Sequence, residues 1–250
     1  MSVIEIREMS KVYGMGDAAT VALDEATIDI ERGEFVAIMG PSGSGKSTLL
    51  NMIGLLDTPT SGQYRLDGQP VAGLSGNARA RIRRQQVGFI FQSFNLLSRM
   101  TVIDNVALPL MYAGVGTTER LERASVILKK LDMGEREYYH PNQLSGGQAQ
   151  RAAIARALAN NPSIILADEP TGNLDSKNSE IIMGLLKDLN EQGNTLVMVT
   201  HSSAIARFAH RTIHMIDGRI DKTERNQKAK PGHAPDQHPD KPASKKVKVK

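Results

Sequence analysis

Short runs of consecutive apolar residues, separated by polar and glycine-rich segments, recur along the chain. Three of them occupy residues 35–39, 163–167 and 195–199, and a helical stretch follows the first at residues 46–56. Apolar runs of this length bounded by turns are typical of strands that are buried on both faces. With helices between them, they predict a central parallel sheet that is covered on both faces.

Other segments have different patterns. Residues 3–9 and 21–30 are expected to form half-buried strands, and residues 211–216 form a further strand before an Asp-Gly turn. No convincing strand occurs between about residues 93 and 160, so this region is predicted to be a helical lobe of its own.

Two histidines lie four residues apart near the strand predicted at residues 211–216. His210 and His214 are expected on one face of this strand without a third ligand, which favours ordinary surface histidines over a metal site.

The composition is that of a soluble globular protein, with 250 residues, 40% hydrophobic and 23% charged. No apolar run approaches the roughly 20 residues that cross a bilayer, and the first residues carry no basic or apolar leader. The absence of cysteine excludes a disulfide scaffold, a thiol nucleophile and a thiolate metal site. We therefore expect a cytoplasmic protein.

The net charge of +4 is unevenly distributed. Residues 1–220 carry 22 Lys and Arg against 23 Asp and Glu, whereas residues 221–250 carry 9 against 4. The first part therefore has no overall basic surface for nucleic acid. Residues 221–250, rich in proline and lysine, are predicted to be a disordered basic tail, and a contact with anionic lipid is the alternative.

A glycine-rich turn follows the first apolar run. It matches the pattern G-x-x-x-x-G-K-[ST], in which backbone N–H groups and a helix N-terminus surround phosphate oxygens. A flexible turn without a ligand is the alternative, and the flanking strand and helix disfavour it. Lys46 is expected at the β- and γ-phosphates and Ser47 on Mg²⁺. The predicted nucleoside triphosphate site comprises Gly40, Pro41, Ser42, Gly43, Ser44, Gly45, Lys46 and Ser47.

Two adjacent acids end the second apolar run. Asp168 is expected to face the metal, and Glu169 can polarise an attacking water. An ordinary acidic turn is the alternative interpretation. A second phosphate-binding helix start is predicted at residues 144–148 (Leu-Ser-Gly-Gly-Gln), which open a helix through Leu158. Because one chain holds one nucleotide, this helix start is expected to serve the nucleotide of another copy, unless Ser145 is a plain N-cap.

These motifs together resemble the ATP-binding cassette (ABC) ATPases over about residues 1–220. The further motifs that carry the resemblance are a Gln-loop at Gln92, a D-loop at residues 173–175 and a switch histidine at His201. Residues 142–148 and 167–176 are similar to the MacB/LolD branch, which serves macrolide export and lipoprotein release. Where relatives in that branch often have Gln-Gln-Gln-Arg after the signature glycines, this chain has Ala149 at the second position.

The resemblance implies an α/β fold: a RecA-like P-loop NTPase core at residues 1–92 and 161–220, with an N-terminal antiparallel β subdomain and an inserted helical subdomain at about residues 93–160. It also implies a head-to-tail dimer that holds two ATP molecules with Mg²⁺. The catalytic residues would be Glu169, His201 and Lys46, and the metal ligands Ser47, Gln92 and Asp168. The remaining nucleotide contacts would come from Tyr13, Thr48, Gln92, Asp175 and, in the partner copy, Ser145, Gly146, Gly147 and Gln148.

The function that the resemblance implies is ATP hydrolysis that energises a separate membrane permease for export, with the chain held peripherally at the cytoplasmic face of the membrane. The permease is expected to contact apolar residues between Gln92 and Tyr112, and core packing is the alternative for several of them: Phe94, Leu96, Leu97, Leu108, Pro109, Leu110, Met111 and Tyr112. The alternative is a soluble ABC-type ATPase of DNA repair or chromosome maintenance. It would need a long heptad insertion between residues 47 and 144, and the chain has none, so no nucleic-acid partner is expected. Lys46, Glu169 and His201 argue against an inactive nucleotide-binding protein.

Overall fold

Strands and helices alternate along the chain, as the apolar runs predicted. The structure, a computed structural model, describes residues 1–226. Its strands are β1 (Ser2–Tyr13), β2 (Thr20–Glu31), β3 (Phe35–Met39), β4 (Ser61–Leu66), β5 (Gln69–Pro70), β6 (Val87–Ile90), β7 (Ile164–Asp168), β8 (Thr195–Val199), β9 (Arg211–Ile216) and β10 (Arg219–Arg225). Its helices are α1 (Lys46–Ile53), α2 (Gly76–Gln86), α3 (Val102–Tyr112), α4 (Thr117–Lys130), α5 (Gly146–Leu158), α6 (Ser176–Glu191) and α7 (Ser203–Ala206).

A six-stranded sheet lies at the centre of the molecule. Its strand order is β10-β9-β3-β8-β7-β6, in which β9, β3, β8, β7 and β6 are parallel and only the edge strand β10 is antiparallel. The parallel strands are short and apolar because both of their faces are covered. On β3, Val36 and Ile38 enter one hydrophobic core and Phe35 and Ala37 enter another.

The two cores have different covering layers. A second sheet, with the antiparallel order β2-β1-β4-β5, packs with α1 over the first core. Helices α3, α4, α5 and α6 bury their apolar faces in the second core. The predicted fold class is therefore confirmed: a P-loop α/β core with an antiparallel β subdomain and helices at residues 93–160.

Two expected boundaries differ in the structure. The first helix ends at Ile53 rather than at residue 56, because Gly54 is its C-cap and Leu55 adopts a left-handed conformation with φ of 57°. Residues 221–225 were expected in a disordered tail, but they belong to β10, which pairs with the open edge of β9. The remainder of that predicted tail, residues 227–250, lies outside the described residues.

Asn226 extends the contacts of this last strand. Its side-chain Nδ2, which has two N–H donors, lies within hydrogen-bond distance of the carbonyls of Ala206 and Ala209, at 3.0 and 2.8 Å, and of the Thr212 hydroxyl, at 3.2 Å. Among residues 1–226, no helix has both the length and the apolar character that a bilayer crossing requires.

Candidate functional site

The predicted site residues follow the carboxyl ends of four neighbouring parallel strands. The glycine-rich loop follows β3, His201 follows β8, Asp168 and Glu169 end β7, and Gln92 follows β6. Because these strands lie side by side in the order β3-β8-β7-β6, their ends meet at one edge of the sheet. Ligands of open parallel sheets bind at this edge. The fold therefore brings motifs that are distant in sequence to one site.

The glycine-rich loop leads into α1 without a side-chain cap. Gly45 is the N-cap residue and adopts a left-handed conformation with φ of 93°, and a Cβ atom there would lie 2.5 Å from the Ala22 carbonyl oxygen. Only glycine fits this position. With no side-chain cap, the first N–H groups of α1 are oriented for an anion. This is the geometry of a phosphate-binding loop.

Lys46 folds back over the loop that it follows. Its ammonium donates hydrogen bonds to the carbonyls of Gly40 and Pro41, at 2.8 and 2.7 Å. Ser42, Gly43 and Ser47 are exposed at the surface of the loop, whereas Ser44 is buried beneath it. The Lys46 ammonium is thus already held over the loop, at a position from which it can bind phosphate oxygens.

The two acids at the end of β7 influence each other. Partial burial and the neighbouring Glu169 carboxylate raise the pKa of Asp168, and the Lys46 ammonium opposes this shift. Asp168 and Lys46 are therefore coupled across the sheet edge. A hydroxyl, a carboxylate and an amide oxygen, as Ser47, Asp168 and Gln92 offer, are ligands that suit Mg²⁺.

Glu169 and His201 are in direct contact. His201 Nδ1 lies 3.1 Å from Glu169 Oε2, and the main-chain N–H of Glu169 donates to the carbonyl of Val199, the last residue of β8. Glu169 has a left-handed φ of 44°, which turns the chain sharply at the end of β7. The carboxylate is one-quarter exposed and the imidazole largely exposed, so both can reach a bound molecule.

Gln92 lies against the loop that follows Glu169. A Cβ atom on Gly172 would be 2.6 Å from Gln92 Nε2, and the Asn173 amide donates to the Gln92 carbonyl at 3.0 Å. A Cβ at residue 172 would therefore displace the Gln92 side chain. The Gln-loop and the acidic strand end therefore form one packed unit.

The second predicted phosphate site is the start of α5. Ser145 accepts a hydrogen bond from the Gln148 N–H while the Gln148 side chain accepts one from the Ser145 N–H, so the two residues form a capping box. A Cβ on Gly147 would lie 2.6 Å from Asn178 Oδ1. Asp175 caps α6 through the Asn178 N–H, and the hydrogen bonds from Asn178 lower the pKa of the Asp175 carboxyl. Gly147 thus packs against α6, and a Cβ on Gly146 would lie 3.2 Å from the Leu174 side chain of the D-loop in the same chain.

Tyr13 ends β1 and is held by groups that the sequence analysis missed. Its hydroxyl donates to Asp57 Oδ2 at 2.9 Å, and the Lys11 ammonium lies 4.7 Å from the centre of its ring. Lys11 also donates to Asp57 Oδ1, and hydrogen bonding with Thr48 links the phenol to α1. Asp57 is 44 residues from Tyr13, and no spacing rule connects them. Its only sequence signal is an Asp two residues before a Pro, which is typical of turns.

Gln150 was also missed. Its side-chain amide is fully buried and donates to the Pro170 carbonyl at 2.7 Å, while its Oε1 atom is buried without a hydrogen-bond partner. A glutamine at a buried position of an otherwise apolar helix face is the signal that could have identified it. Through this bond the signature helix contacts the residue that follows Glu169.

A groove of about 730 Å³ lies between α2, β6, the end of α3 and α5. Four of its lining residues are arginines, and we call it the arginine groove: Arg81, Arg83, Arg84 and Arg156. Of the apolar residues predicted to contact a partner, Leu108, Pro109 and Tyr112 line it, and Leu97 and Met111 are exposed. Leu110 is wrong as a contact residue because it is only 1% exposed and belongs to the core.

His210 and His214, the two histidines weighed as a metal pair, both have polar contacts. His210 Nδ1 accepts a hydrogen bond from the Phe35 N–H, and His214 Nε2 lies 3.3 Å from a Glu224 oxygen. Within residues 1–226, no group of three His, Asp or Glu side chains is arranged to hold a metal ion.

Comparison with known proteins gives one consistent result. The ABC transporter family model matches residues 23–172. The macrolide export ATP-binding/permease protein MacB of Aggregatibacter actinomycetemcomitans is 51% identical over 220 residues, which is 88% of this chain and 34% of that protein. The uncharacterized ABC transporter ATP-binding protein MJ1508 of Methanocaldococcus jannaschii is 51% identical over 87% of this chain and 97% of its own length.

A solved structure has the same architecture. The dimeric, post-hydrolysis structure of the ATP-binding cassette MJ0796 bound to ADP and Pi superposes with a TM-score of 0.82 at 48% identity. The similarity covers 90% of this chain and 99% of that one. By contrast, the chain spans only about a third of the length of the MacB protein that it matches.

Proposed function

The chain belongs to the ABC transporter family and is one of its ATPases, and on this basis we propose that it is the ATP-hydrolysing subunit that drives a separate permease of the MacB/LolD type. The observation that carries the proposal is the meeting of four motifs at adjacent strand ends. The phosphate-binding loop, the Asp168–Glu169 pair, His201 and Gln92 all lie there.

Nucleotide binding rests on the loop and on Tyr13. The uncapped N-terminus of α1 would receive the phosphates, and Lys46 would exchange its two carbonyl acceptors for β- and γ-phosphate oxygens. Tyr13, fixed by Asp57, would stack on adenine. Mg²⁺, held by Ser47, Asp168 and Gln92, would neutralise charge on the phosphates. This ion is general for ATPases of the family, and the oxygen donors here suit it.

Hydrolysis rests on Glu169. In its ionised form it can accept a proton from an attacking water, and His201 donates to it through Nδ1. This contact holds the carboxylate beside the imidazole. With both ring nitrogens protonated, His201 would also donate to the γ-phosphate through Nε2. Glu169 is the general base in this proposal, and His201 is the residue that positions it.

The complete site requires a second copy of the chain. Ser145, Gly146, Gly147 and Gln148 of one copy would contact the γ-phosphate held by the other, and Asp175 would lie at the interface. The start of α5 is exposed at Ser145 and Gly146 and therefore accessible to a partner. The dimeric structure of the related cassette MJ0796 supports this arrangement.

The permease is proposed to dock at the arginine groove. The groove adjoins the Gln92 loop, so a docked segment could respond to the nucleotide. The similarity to the macrolide export protein MacB supports an export role. We propose export or extraction of a lipophilic, peptide or lipoprotein cargo, with the chain at the cytoplasmic face of the inner or plasma membrane.

The experiment uses the tagged full chain with Glu169→Gln, which should trap the ATP-bound state. When this variant is purified from detergent-extracted membranes with ATP and Mg²⁺, a protein with several membrane-spanning helices should co-purify with it. Much less of that membrane protein should co-purify with the Lys46→Ala variant. The recovered permease, placed in liposomes, should raise the ATPase activity of the wild-type chain. Recovery of nuclease-sensitive DNA without such a protein, or no stimulation in liposomes, would contradict the proposal.

A further inference from the structure

The turn between β9 and β10 lies against the phosphate-binding loop. Asp217 and Gly218 form this two-residue turn, because Ile216 and Arg219 pair directly across it. Both turn residues have positive φ values, 47° and 80°, as a tight hairpin of this length requires. The Gly218 N–H donates a hydrogen bond to the Ser44 carbonyl at 3.2 Å, so the turn contacts the loop through its main chain.

The hairpin and the loop meet at two further points. A Cβ atom on Gly40, at the start of the loop, would lie 2.3 Å from the Met215 carbonyl oxygen of β9. A Cβ atom on Gly45, just before α1, would lie 3.3 Å from Gly218 Cα and 2.5 Å from the carbonyl oxygen of Ala22 on β2. The loop is thus enclosed between β2 and the end of the β9–β10 hairpin.

The hydrogen bond from Gly218 orients one peptide group of the loop. The Ser44 carbonyl and the Gly45 N–H belong to the same planar trans peptide, so they point in opposite directions. Because the carbonyl is held toward the turn, the Gly45 N–H is directed away from the turn at the start of α1. The Ser44 side chain does not hold this peptide, since its buried Oγ atom has no hydrogen-bond partner within residues 1–226.

The turn is itself anchored to β2. The Asp24 N–H donates to the Gly218 carbonyl at 3.0 Å, and Arg219 Nε donates to Asp24 Oδ2 at 2.7 Å. The carbonyl of Gly218 is therefore bonded to β2 while its N–H is bonded to the phosphate-binding loop. A shift of the turn would lengthen one or both of these bonds.

We infer that Gly218 is a positioning residue for the phosphate-binding loop: its N–H orients the Ser44–Gly45 peptide so that the Gly45 N–H can donate to a phosphate oxygen of the nucleotide. This inference rests on the proposed function, in which the loop binds the phosphates. Gly218 does not touch the nucleotide and acts only through the loop. A peptide group that is oriented before binding loses less freedom when the phosphate arrives, and this raises the affinity.

Gly218→Ala tests this role, and Gly68→Ala is the matched control. Asp67 and Gly68 form the same kind of two-residue turn between β4 and β5, with φ values of 51° and 75°. Beyond its chain neighbours, an added Cβ at residue 68 would have no atom of residues 1–226 within 4 Å, whereas at Gly218 it would lie 3.2 Å from the Ala22 carbonyl oxygen. Both variants carry the strain of a left-handed alanine, but only Gly218→Ala also crowds β2 and forces the turn to shift.

The measurements are the dissociation constants of ADP, which the ATPase leaves intact, and of pyrophosphate, from the full chain by competition with a fluorescent nucleotide. Gly218→Ala should raise both constants about 10-fold, which is the scale of one hydrogen bond to a charged group. Gly68→Ala should leave both constants unchanged. Both variants should melt about 2–8 °C lower than the wild-type chain, the scale of one left-handed alanine.

The same fold-change in affinity for the two variants, or no change in either, would overturn the inference. So would a loss of affinity for ADP without a loss for pyrophosphate, because the effect would then act on the base through β2 instead of on the phosphates. A wild-type chain that binds neither ligand would instead count against the proposed function.

A milder pair of variants serves if Gly218→Ala does not fold. Arg219→Ala removes the ion pair that ties the turn to β2 and should raise the dissociation constant of pyrophosphate about 2–3-fold, the scale of an exposed ion pair. Arg219→Lys should restore most of the affinity. Arg7→Ala, which removes an exposed ion pair with Asp29 elsewhere on β2, is the control and should leave the affinity unchanged. Wild-type affinity in Arg219→Ala, or equal losses in Arg219→Ala and Arg7→Ala, would overturn the inference.

Discussion

The buried side chain of Gln150 donates its hydrogen bond to the carbonyl of Pro170, one residue beyond Glu169. This bond joins the helix that begins at the signature motif to the strand end that carries the proposed general base. The two segments belong to different parts of the ATP site. A shift of the signature helix would therefore move the main chain next to Glu169 through this bond.

Replacing Gln150 with Leu should therefore affect both stability and turnover. A buried carbonyl left without its donor costs about 1–3 kcal/mol of unfolding free energy. We expect this loss in chemical denaturation, together with a lower kcat and a nearly unchanged affinity for ATP. The matched control is Gln85→Leu, at an exposed position of α2. It should change neither the free energy of unfolding nor kcat. An equal effect on ATP affinity and kcat would argue for general damage instead of positioning.

Glu169→Gln tests the general base. The substitution keeps the size and the hydrogen bond to His201 but removes the basic oxygen. Hydrolysis should fall at least ~100-fold while ATP still binds. The ATP-bound dimer should then persist long enough to be seen by gel filtration. Near-normal phosphate release from this variant would assign the base to another group.

Strands with a local sequence pattern could be predicted from the sequence, whereas hydrogen bonds between residues that are distant in sequence could not. The bounds of β8 are recovered because a continuous apolar run of this length is typical of a strand buried on both faces, and those of β9 because it ends at an Asp-Gly turn. The bond from Gln150 to Pro170 spans 20 residues and leaves no periodic pattern, so it had to be seen in the structure. The same holds for the bond between Tyr13 and Asp57.

Strand β10 shows why an edge strand was missed. Residues 219–225 are exposed at nearly every position, and their charged pattern is typical of a solvated tail. They form a strand only because β9 offers an unpaired edge, and this edge is a product of the tertiary fold. Local sequence cannot report such a partner.

Truncation measures what this strand contributes. A chain that ends at Ile220 loses the pairing of residues 221–225 with β9 and the hydrogen bonds of the Asn226 amide. Its melting temperature should lie at least about 4 °C below that of a chain that ends at Asn226, because the two donors of the Asn226 amide alone are worth about 1 kcal/mol each and 1 kcal/mol shifts the melting temperature of a domain of this size by about 2–4 °C. Asn226→Ala in the full chain should reproduce part of the loss. Equal melting temperatures for the two truncated chains would show that the strand adds nothing to stability.

Asp57 should make stability depend on acid pH. Burial raises the pKa of its carboxyl, but the hydrogen bonds from Lys11, Thr58 and Tyr13 outweigh that effect, and the net pKa lies below its usual value. A carboxyl with a lowered pKa stabilises the fold above its unfolded pKa of about 3.9, and this stabilisation disappears as the pH falls through the folded value.

The variant Asp57→Asn should accordingly melt about 1–3 °C lower at pH 7, as expected for the loss of one partly exposed ion pair, and this difference in melting temperature should narrow below about pH 4. Asp188→Asn is the control, because Asp188 lies exposed on α6. Melting curves across the pH range provide the measurement. A difference that stays constant down to pH 3 would mean that the charge of Asp57 is not the cause.

The shared ATP site can be tested with two inactive chains. Lys46→Ala removes the cation from the phosphates in its own site, and Ser145→Arg blocks the contact offered to the nucleotide of the partner. Because Ser145 also caps α5, its loss should cost about 1 kcal/mol. Melting curves of this variant must therefore first show that it is folded.

In a mixed dimer of these two chains, both lesions fall in the same site. The other site then keeps an intact phosphate-binding loop from one copy and an intact signature from the other. That site should regain tight capture of ATP, measured by trapping labelled nucleotide, even if turnover stays low because the two sites act together. If each site used only the Ser145 of its own chain, every site in the mixture would be damaged. Heterodimers that form but trap no nucleotide would therefore reject the shared site.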